Sequence, residues 1–291
     1  MSLVSLKEIL QDARAAHYAV PMFDVSNPQM IRMATDVAEE LNSPVILASI
    51  EPDLVGNQIE YWAEAAKYAA THARVPVCYM VDHASSFELC LRCAKASYTG
   101  VMIDASSKSF EDNIKATYEV AHEMHKYGVS VEAELGHVGD AQADGGEGEL
   151  TGTKGDSSCY TDPDTVEEFI ERSQCDALAV SIGTAHGVYK TAPELQIDLL
   201  KKINDISKVP LVLHGGSGTP EDQLRNAIAN GISKINICSE IMYAWHKTLL
   251  DVLSDAKNLS FWNCTACVEP EKAMKEVMRK KIRLFGSNRE M

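Results

Sequence analysis

Eight short apolar runs, rich in β-branched residues, recur along the chain, and they limit its fold more than any other feature. They are "YAVPMF" (18–23), "PVILAS" (44–49), "VPVCYMV" (75–81), "GVMIDA" (100–105), "SVEAEL" (130–135), "ALAVSI" (177–182), "VPLVLH" (209–214) and "KINICS" (234–239). Most are nearly continuous in apolar residues, the pattern of strands covered on both faces. Amphipathic stretches separate them, among them "PQMIRMATDVAEELN", "EDNIKATYEVAHEMHKYG", "DTVEEFIERSQC" and "APELQIDLLKKINDIS". Eight β/α units suit a (β/α)8 TIM barrel, a fold of roughly 250 residues. An open doubly wound sheet gives the same alternation. Both architectures gather ligands at the C-terminal ends of the strands. An extra C-terminal helix is expected over "EPEKAMKEVMRKKIRLFG". With no Pro/Gly/Ser-rich linker and no residue-level repeat, residues 1–291 read as a single domain.

The formal net charge of -15 argues against nucleic-acid partners, which need a basic surface. A small anion remains possible, because it needs only a local pocket of backbone N–H groups. No apolar run reaches the ~20 residues of a membrane span, so no membrane partner is expected. The opening "MSLVSLKEILQDARAAHYAV" reads as an amphipathic helix rather than a signal peptide, which implies a cytoplasmic protein. The eight cysteines are then expected to be free thiols. The pairs Cys90/Cys93 and Cys264/Cys267 lie too far apart in sequence for a zinc ribbon and read as packing residues.

Three of the nine histidines sit where expected strands end: His83 in "VDHASS", His186 in "SIGTAHGVYK" and His214 in "LVLHGGSGTP". A closed barrel would bring those ends to one mouth. Three neutral imidazoles with an open fourth position suit a catalytic Zn2+. The other histidines, His137 among them, read as surface or packing residues. The turn "HGGSG" (214–218) and the segment "NICSE" (236–240) each join a strand to a helix, after strands seven and eight. Backbone N–H groups converge on a phosphate at those two positions of a TIM barrel, and Gly187 in "HGVYK" offers a third contact.

A metal beside a phosphate cradle suits a ketose phosphate. The metal would act as a Lewis acid on the carbonyl and stabilise an enediolate. Asp82 is then placed to move the C4 hydroxyl proton as the C3–C4 bond breaks. The long polar segment "GHVGDAQADGGEGELTGTKGDSSCYTD" (136–162) is where a lid belongs. It offers Glu147 or Glu149 as the second base.

Together, "VDHASS", "VEAELG", "AVSIGTAHGVY", "LVLHGGSG" and "INICSE" resemble the metal-dependent class II fructose-bisphosphate aldolase family, closest in length to its tagatose-bisphosphate aldolase-like branch. The resemblance runs from about residue 3 to "LFGS" near residue 287. It implies an aldehyde-lyase that splits a phosphorylated ketose into dihydroxyacetone phosphate and an aldehyde. On matching positions it implies Asp82 as proton donor and His83, His186 and His214 as zinc ligands, with Glu134 an alternative metal position. Gly187, Gly215, Gly216, Ser217, Asn236, Ile237, Cys238 and Ser239 would contact dihydroxyacetone phosphate. Asp24 and Ser49 are expected on the substrate side. A monovalent cation (Na+ or K+) near the phosphate and a homodimer or homotetramer are also implied. Asp24 stands where the family usually has Asn, and Cys238 where Ala or Asp is commoner; the added charge at Asp24 bears on which sugar fits.

Two other readings compete. A zinc hydrolase on the same barrel commonly opens with an H-x-H pair at the first strand, and "VPMFDV" has none. A non-catalytic phosphosugar-binding protein would keep the phosphate turns while its acid and metal ligands drifted, and here all of them are present.

Overall fold

The computed structural model describes residues 3–139, 159–187, 189 and 191–288. Its eight strands are β1 (Val20–Asp24), β2 (Val45–Ile50), β3 (Val77–Ala84), β4 (Gly100–Ile103), β5 (Ser130–Leu135), β6 (Ala177–Val180), β7 (Leu211–Leu213) and β8 (Ile232–Ile237). All eight expected runs are strands. Every neighbouring pair is parallel, and β8 pairs with β1, so the sheet closes in the order β1 to β8. The open-sheet alternative is excluded: this is a TIM barrel.

Eleven α-helices are present among the described residues: α1 (Leu6–Ala16), α2 (Pro28–Glu40), α3 (Gln58–His72), α4 (Phe87–Lys95), α5 (Phe110–Met124), α6 (Pro163–Ser173), α7 (Ile197–Ile206), α8 (Glu221–Ala229), α9 (Ser239–Leu253), the single turn α10 (Asn263–Ala266) and the C-terminal α11 (Val268–Phe285). Local sequence sets their starts. Asn27, Ser86 and Ser109 each accept a backbone N–H as the N-cap, and Pro28 and Pro163 stand in first turns. Helix α7 begins at Ile197, later than the amphipathic pattern suggests. Gln223 instead holds the preceding segment extended, accepting from Leu195 N–H and donating to the Pro193 carbonyl.

Two apolar layers hold the barrel. One lies between strands and outer helices and includes Phe23, Tyr79, Phe169 and Phe285. The other fills the barrel interior. There Met22, Ile46, Met80, Met102 and Val212 meet Leu6, Ile9, Leu10 and Ala13 of α1, which covers the N-terminal end. These four α1 residues have the i, i+3, i+4, i+7 spacing of one helix face. Ser5 starts the helix with a reciprocal capping box to Glu8. Full burial of each large aliphatic side chain contributes ~1.5–3 kcal/mol, so α1 acts as an apolar plug.

Among the described residues no cysteine forms a disulfide. Cys90 and Cys93 are buried on α4, as packing residues should be, whereas Cys264 is exposed. Among the described residues no helix is long and apolar enough to cross a membrane.

Candidate active site

A cavity of about 720 Å3 opens at the C-terminal ends of the strands. Its wall takes Asp24 from β1, Asp82 and His83 from β3, and His186 and Gly187 from beyond β6. From β7 and β8 come Gly215, Ser217, Asn236, Cys238 and Ser239. His214 and Glu134 are almost wholly buried against this wall.

Asp82 and His83 are consecutive, and a regular strand would send them to opposite faces. The strand is not regular here. Pairing between β3 and β4 shifts register between Val81 and Ala84, and His83 has a left-handed φ of 48°. Such a conformation is uncommon for a non-glycine residue and typical of bulges that re-aim side chains beside active sites. The irregularity turns both groups into one cavity.

Nitrogen atoms of His83, His186 and His214 lie within 4.8 Å of one another. Three ligands ~2 Å from one ion need that degree of convergence. Hydrogen bonding fixes two of the rings. His83 Nδ1 lies 2.8 Å from Asp104 Oδ2, and His214 Nε2 lies 2.9 Å from Glu132 Oε1. A carboxylate only accepts, so each of those nitrogens carries the proton. His83 Nε2 and His214 Nδ1 are therefore the lone-pair nitrogens, and they face each other at 2.9 Å. With both rings neutral, two lone pairs at that distance call for a cation between them, either a proton or a metal ion.

The surrounding acids make the same demand. Burial opposes charging His83, but Asp82, Asp104 and Glu134 outweigh it and raise its pKa to about 10. Burial first, and then the neighbouring His83 and Lys234, hold His214 well below the usual histidine range against the pull of Asp82. Glu134 is pushed up to about 8 by burial and then by the Asp104 charge, and its Oε2 is buried without a hydrogen-bond partner. The donor set fits a divalent metal at His83, His186 and His214. Asp104 and Glu134 form a second possible grouping with His83.

The anion side lies next to it. Helix α9 begins at Ser239, which lines the cavity, so the positive end of its dipole faces the cavity. The Ser217 hydroxyl accepts from the N–H groups of Cys238 and Glu240, locking the two turns together. Gly215 has φ 67°, and a Cβ there would meet the Ala185 carbonyl oxygen at 2.4 Å. This close approach is the physical reason for the glycine. Tyr189 reinforces it: its hydroxyl accepts from Ala185 N–H and lies 2.9 Å from the Gly215 carbonyl oxygen, tying the turn of His186 to that of His214.

The matching family model is that of class II fructose-bisphosphate aldolase, and it covers residues 4–290. The chain belongs to that family. A fructose-bisphosphate aldolase of Geobacillus stearothermophilus is 38% identical over 99% of this chain and 98% of its own. The crystal structure of the YdjI aldolase from Escherichia coli K12 superposes with a TM-score of 0.83 at 34% identity, covering 98% of both chains. That of a putative fructose-1,6-bisphosphate aldolase from Coccidioides immitis gives 0.84 at 25% identity, over 97% of this chain and 96% of its own. The protein is thus a carbon–carbon lyase of the class II aldolase type, a class that uses a divalent metal.

On this aldolase scaffold some expected site residues lie elsewhere. Ser49 is fully buried and shares a 2.6 Å hydrogen bond with the Tyr79 hydroxyl, away from the cavity wall, so its expected place on the substrate side is not met. The period of two along β2 explains this, because its neighbour Ile50 lines the cavity instead. Gly216 packs behind the wall, where a Cβ would meet Ile235 at 2.4 Å, and the Ile237 side chain belongs to the outer core. Glu147 and Glu149 lie outside the described residues.

Other groups were missed. Asp104 closes the run "GVMIDA", the same strand-end signal that marked Asp82. Ser106 binds Asp104. His137, expected at the surface or in packing, lines the cavity; its place two residues beyond β5 was the available signal.

Proposed function

We propose that this aldolase reversibly cleaves a phosphorylated ketose to dihydroxyacetone phosphate and an aldehyde. The observation that carries the reading is the adjacency of two sites: three imidazoles converging on one point, and a glycine turn beside the N-terminus of α9. A Zn2+ held by His83, His186 and His214 would act as a Lewis acid on the ketose carbonyl and stabilise the enediolate left on bond cleavage. Gly187, Gly215, Ser217 and the 236–239 backbone hold the phosphate and so fix the carbonyl end of the sugar. Asp82 moves the C4 hydroxyl proton. Its Oδ2 accepts from Asn236 Nδ2 at 3.1 Å, while Oδ1 is buried with no hydrogen-bond partner and is free to take that proton. Asp104 and Glu132 hold the ring N–H of His83 and His214 on the far nitrogen, so that Nε2 of His83 and Nδ1 of His214 are the nitrogens offered to the metal. A base from the 140–158 segment, Glu147 or Glu149, completes proton transfer at C3. A cytoplasmic homodimer or homotetramer with a monovalent cation near the phosphate, each chain one domain over 1–291, belongs to the same reading.

The test is coupled detection of dihydroxyacetone phosphate released from a panel of ketose mono- and bisphosphates, before and after verified metal removal. Release is expected from at least one ketose and is expected to vanish with the metal and return with Zn2+. Release undiminished after metal removal would sink the reading. His214→Ala should fail to retain metal, measured by elemental analysis.

A further inference from the structure

Beyond Asp82, His83 and Asp104, the residues between the ends of β3 and β5 have no part in that mechanism, although they enclose the half of the cavity away from the phosphate turns. The barrel order places β7 and β8 across from β3 and β4. A sugar with its phosphate at the former and its carbonyl at the three histidines extends its aldehyde half toward the other loops. Ser85, Ser106, Ser107 and His137 line that side.

His137 is held firmly there. Its N–H donates to the Cys159 carbonyl, and its own carbonyl accepts from Ser181 Oγ at 3.0 Å. Its ring is half-buried, with 38% of the side chain exposed. The proton on the ring can be placed by elimination. Ser106 Oγ lies 2.7 Å from Asp104 Oδ1, an acceptor, so the single hydroxyl proton of Ser106 goes to Asp104. Ser106 Oγ must then accept from His137 Nδ1, 3.0 Å away. With the ring proton on Nδ1, Nε2 is the nitrogen left with a lone pair, on a side chain that lines the cavity.

Resting on the aldolase reading above, we propose that His137 is a specificity-determining residue whose Nε2 accepts a hydrogen bond from a hydroxyl on the aldehyde half of the substrate. The substrate class is thereby narrowed to hydroxyaldehydes rather than plain alkyl aldehydes. A hydroxyl donates to Nε2, whereas a phosphate oxygen offers only lone pairs to it.

Two variants separate this role from a structural one. His137→Asn keeps an amide N–H at the Nδ1 position, preserving the bond to Ser106, but removes Nε2. His137→Gln restores a polar amide near the Nε2 position. Each is compared with the wild type in two assays. The first is solvent-deuterium exchange at C3 of dihydroxyacetone phosphate alone, followed by NMR. The second is condensation with glycolaldehyde, glyceraldehyde and a four-carbon hydroxyaldehyde, set against propionaldehyde, butyraldehyde and glyceraldehyde 3-phosphate. For His137→Asn we expect kcat/KM to fall about 10- to 100-fold for the hydroxyaldehyde that reaches the ring. Exchange and condensation with the alkyl aldehydes should fall less than about threefold, the spread between unrelated contacts. His137→Gln should recover part of the loss. Equal losses in exchange and in all condensations would overturn the proposal in favour of a structural role. A loss greatest for the phosphorylated aldehyde would overturn the hydroxyl assignment. A wild type that shows no exchange with dihydroxyacetone phosphate would overturn the functional reading itself, and this proposal with it.

Discussion

At the N-terminal end of the barrel, Leu6, Ile9, Leu10 and Ala13 of α1 cover Met22, Ile46 and Val212. At the C-terminal end the strands of the barrel finish on Asp24, Asp82, His83, His214 and Asn236, most of them equally buried. The first arrangement stabilises the fold by removing apolar surface from water. The second opposes it, because buried ionisable groups lose hydration. Asp24 shows the strain: burial and then the neighbouring Asp82 charge push its pKa to about 8. Burial stabilises one end of the barrel and opposes folding at the other, where hydrogen bonds such as Asn236 to Asp82 and His83 to Asp104 offset part of the loss. Between the ends, the wholly buried Lys234 pairs with Glu132, which also holds His214.

Substitutions at the two ends should therefore break the molecule differently. Asp82→Ala should lower turnover by ~10^2–10^4-fold while leaving the thermal midpoint unchanged or raised, since a buried carboxylate is removed. A large fall in the midpoint would instead make Asp82 a structural group. Lys234→Met strands the Glu132 charge and should cost ~3–5 kcal/mol of stability in denaturant titration. Adding Glu132→Gln should recover much of that loss without restoring activity, because His214 loses its orienting carboxylate. Leu10→Ala at the plug should cost ~2–5 kcal/mol, yet activity per folded molecule should match the wild type. If turnover fell in proportion, the two ends would not be separable. Ser5→Ala, which removes the α1 cap, should cost ~1 kcal/mol, read as a small shift in the denaturation midpoint with turnover unchanged.

The fold was largely legible in the sequence. Each of the eight apolar runs became a strand, because a continuous apolar run is tolerated only where both faces are covered. Helix starts were marked by local caps such as Asn27–Pro28 and Ser5 with Glu8. The late start of α7 was not, because Gln223, a distant residue, holds the chain before it. In the site, the strand-end histidines and the Gly-rich turns carried their own signal. Ser49 misled because a strand end indicates depth along the barrel but not which face a residue takes. His137 escaped because a lone histidine in a polar stretch resembles a surface residue until the barrel closes around it.

The sequence by itself therefore determined how many strands there are, that helices alternate with them, and which ends carry acids, imidazoles and glycines. All of these follow from local patterns along the chain. That the sheet closes in the order β1 to β8 was settled by the structure. Only the tertiary structure decided that His83 turns left-handed so that Asp82 and His83 share a cavity. It also decided that Asp104 and Glu132 select which nitrogens face the metal position, and that Ser106 orients His137. Those choices rest on hydrogen bonds between residues far apart in sequence, and such partners meet only once the eight strands have closed into a ring.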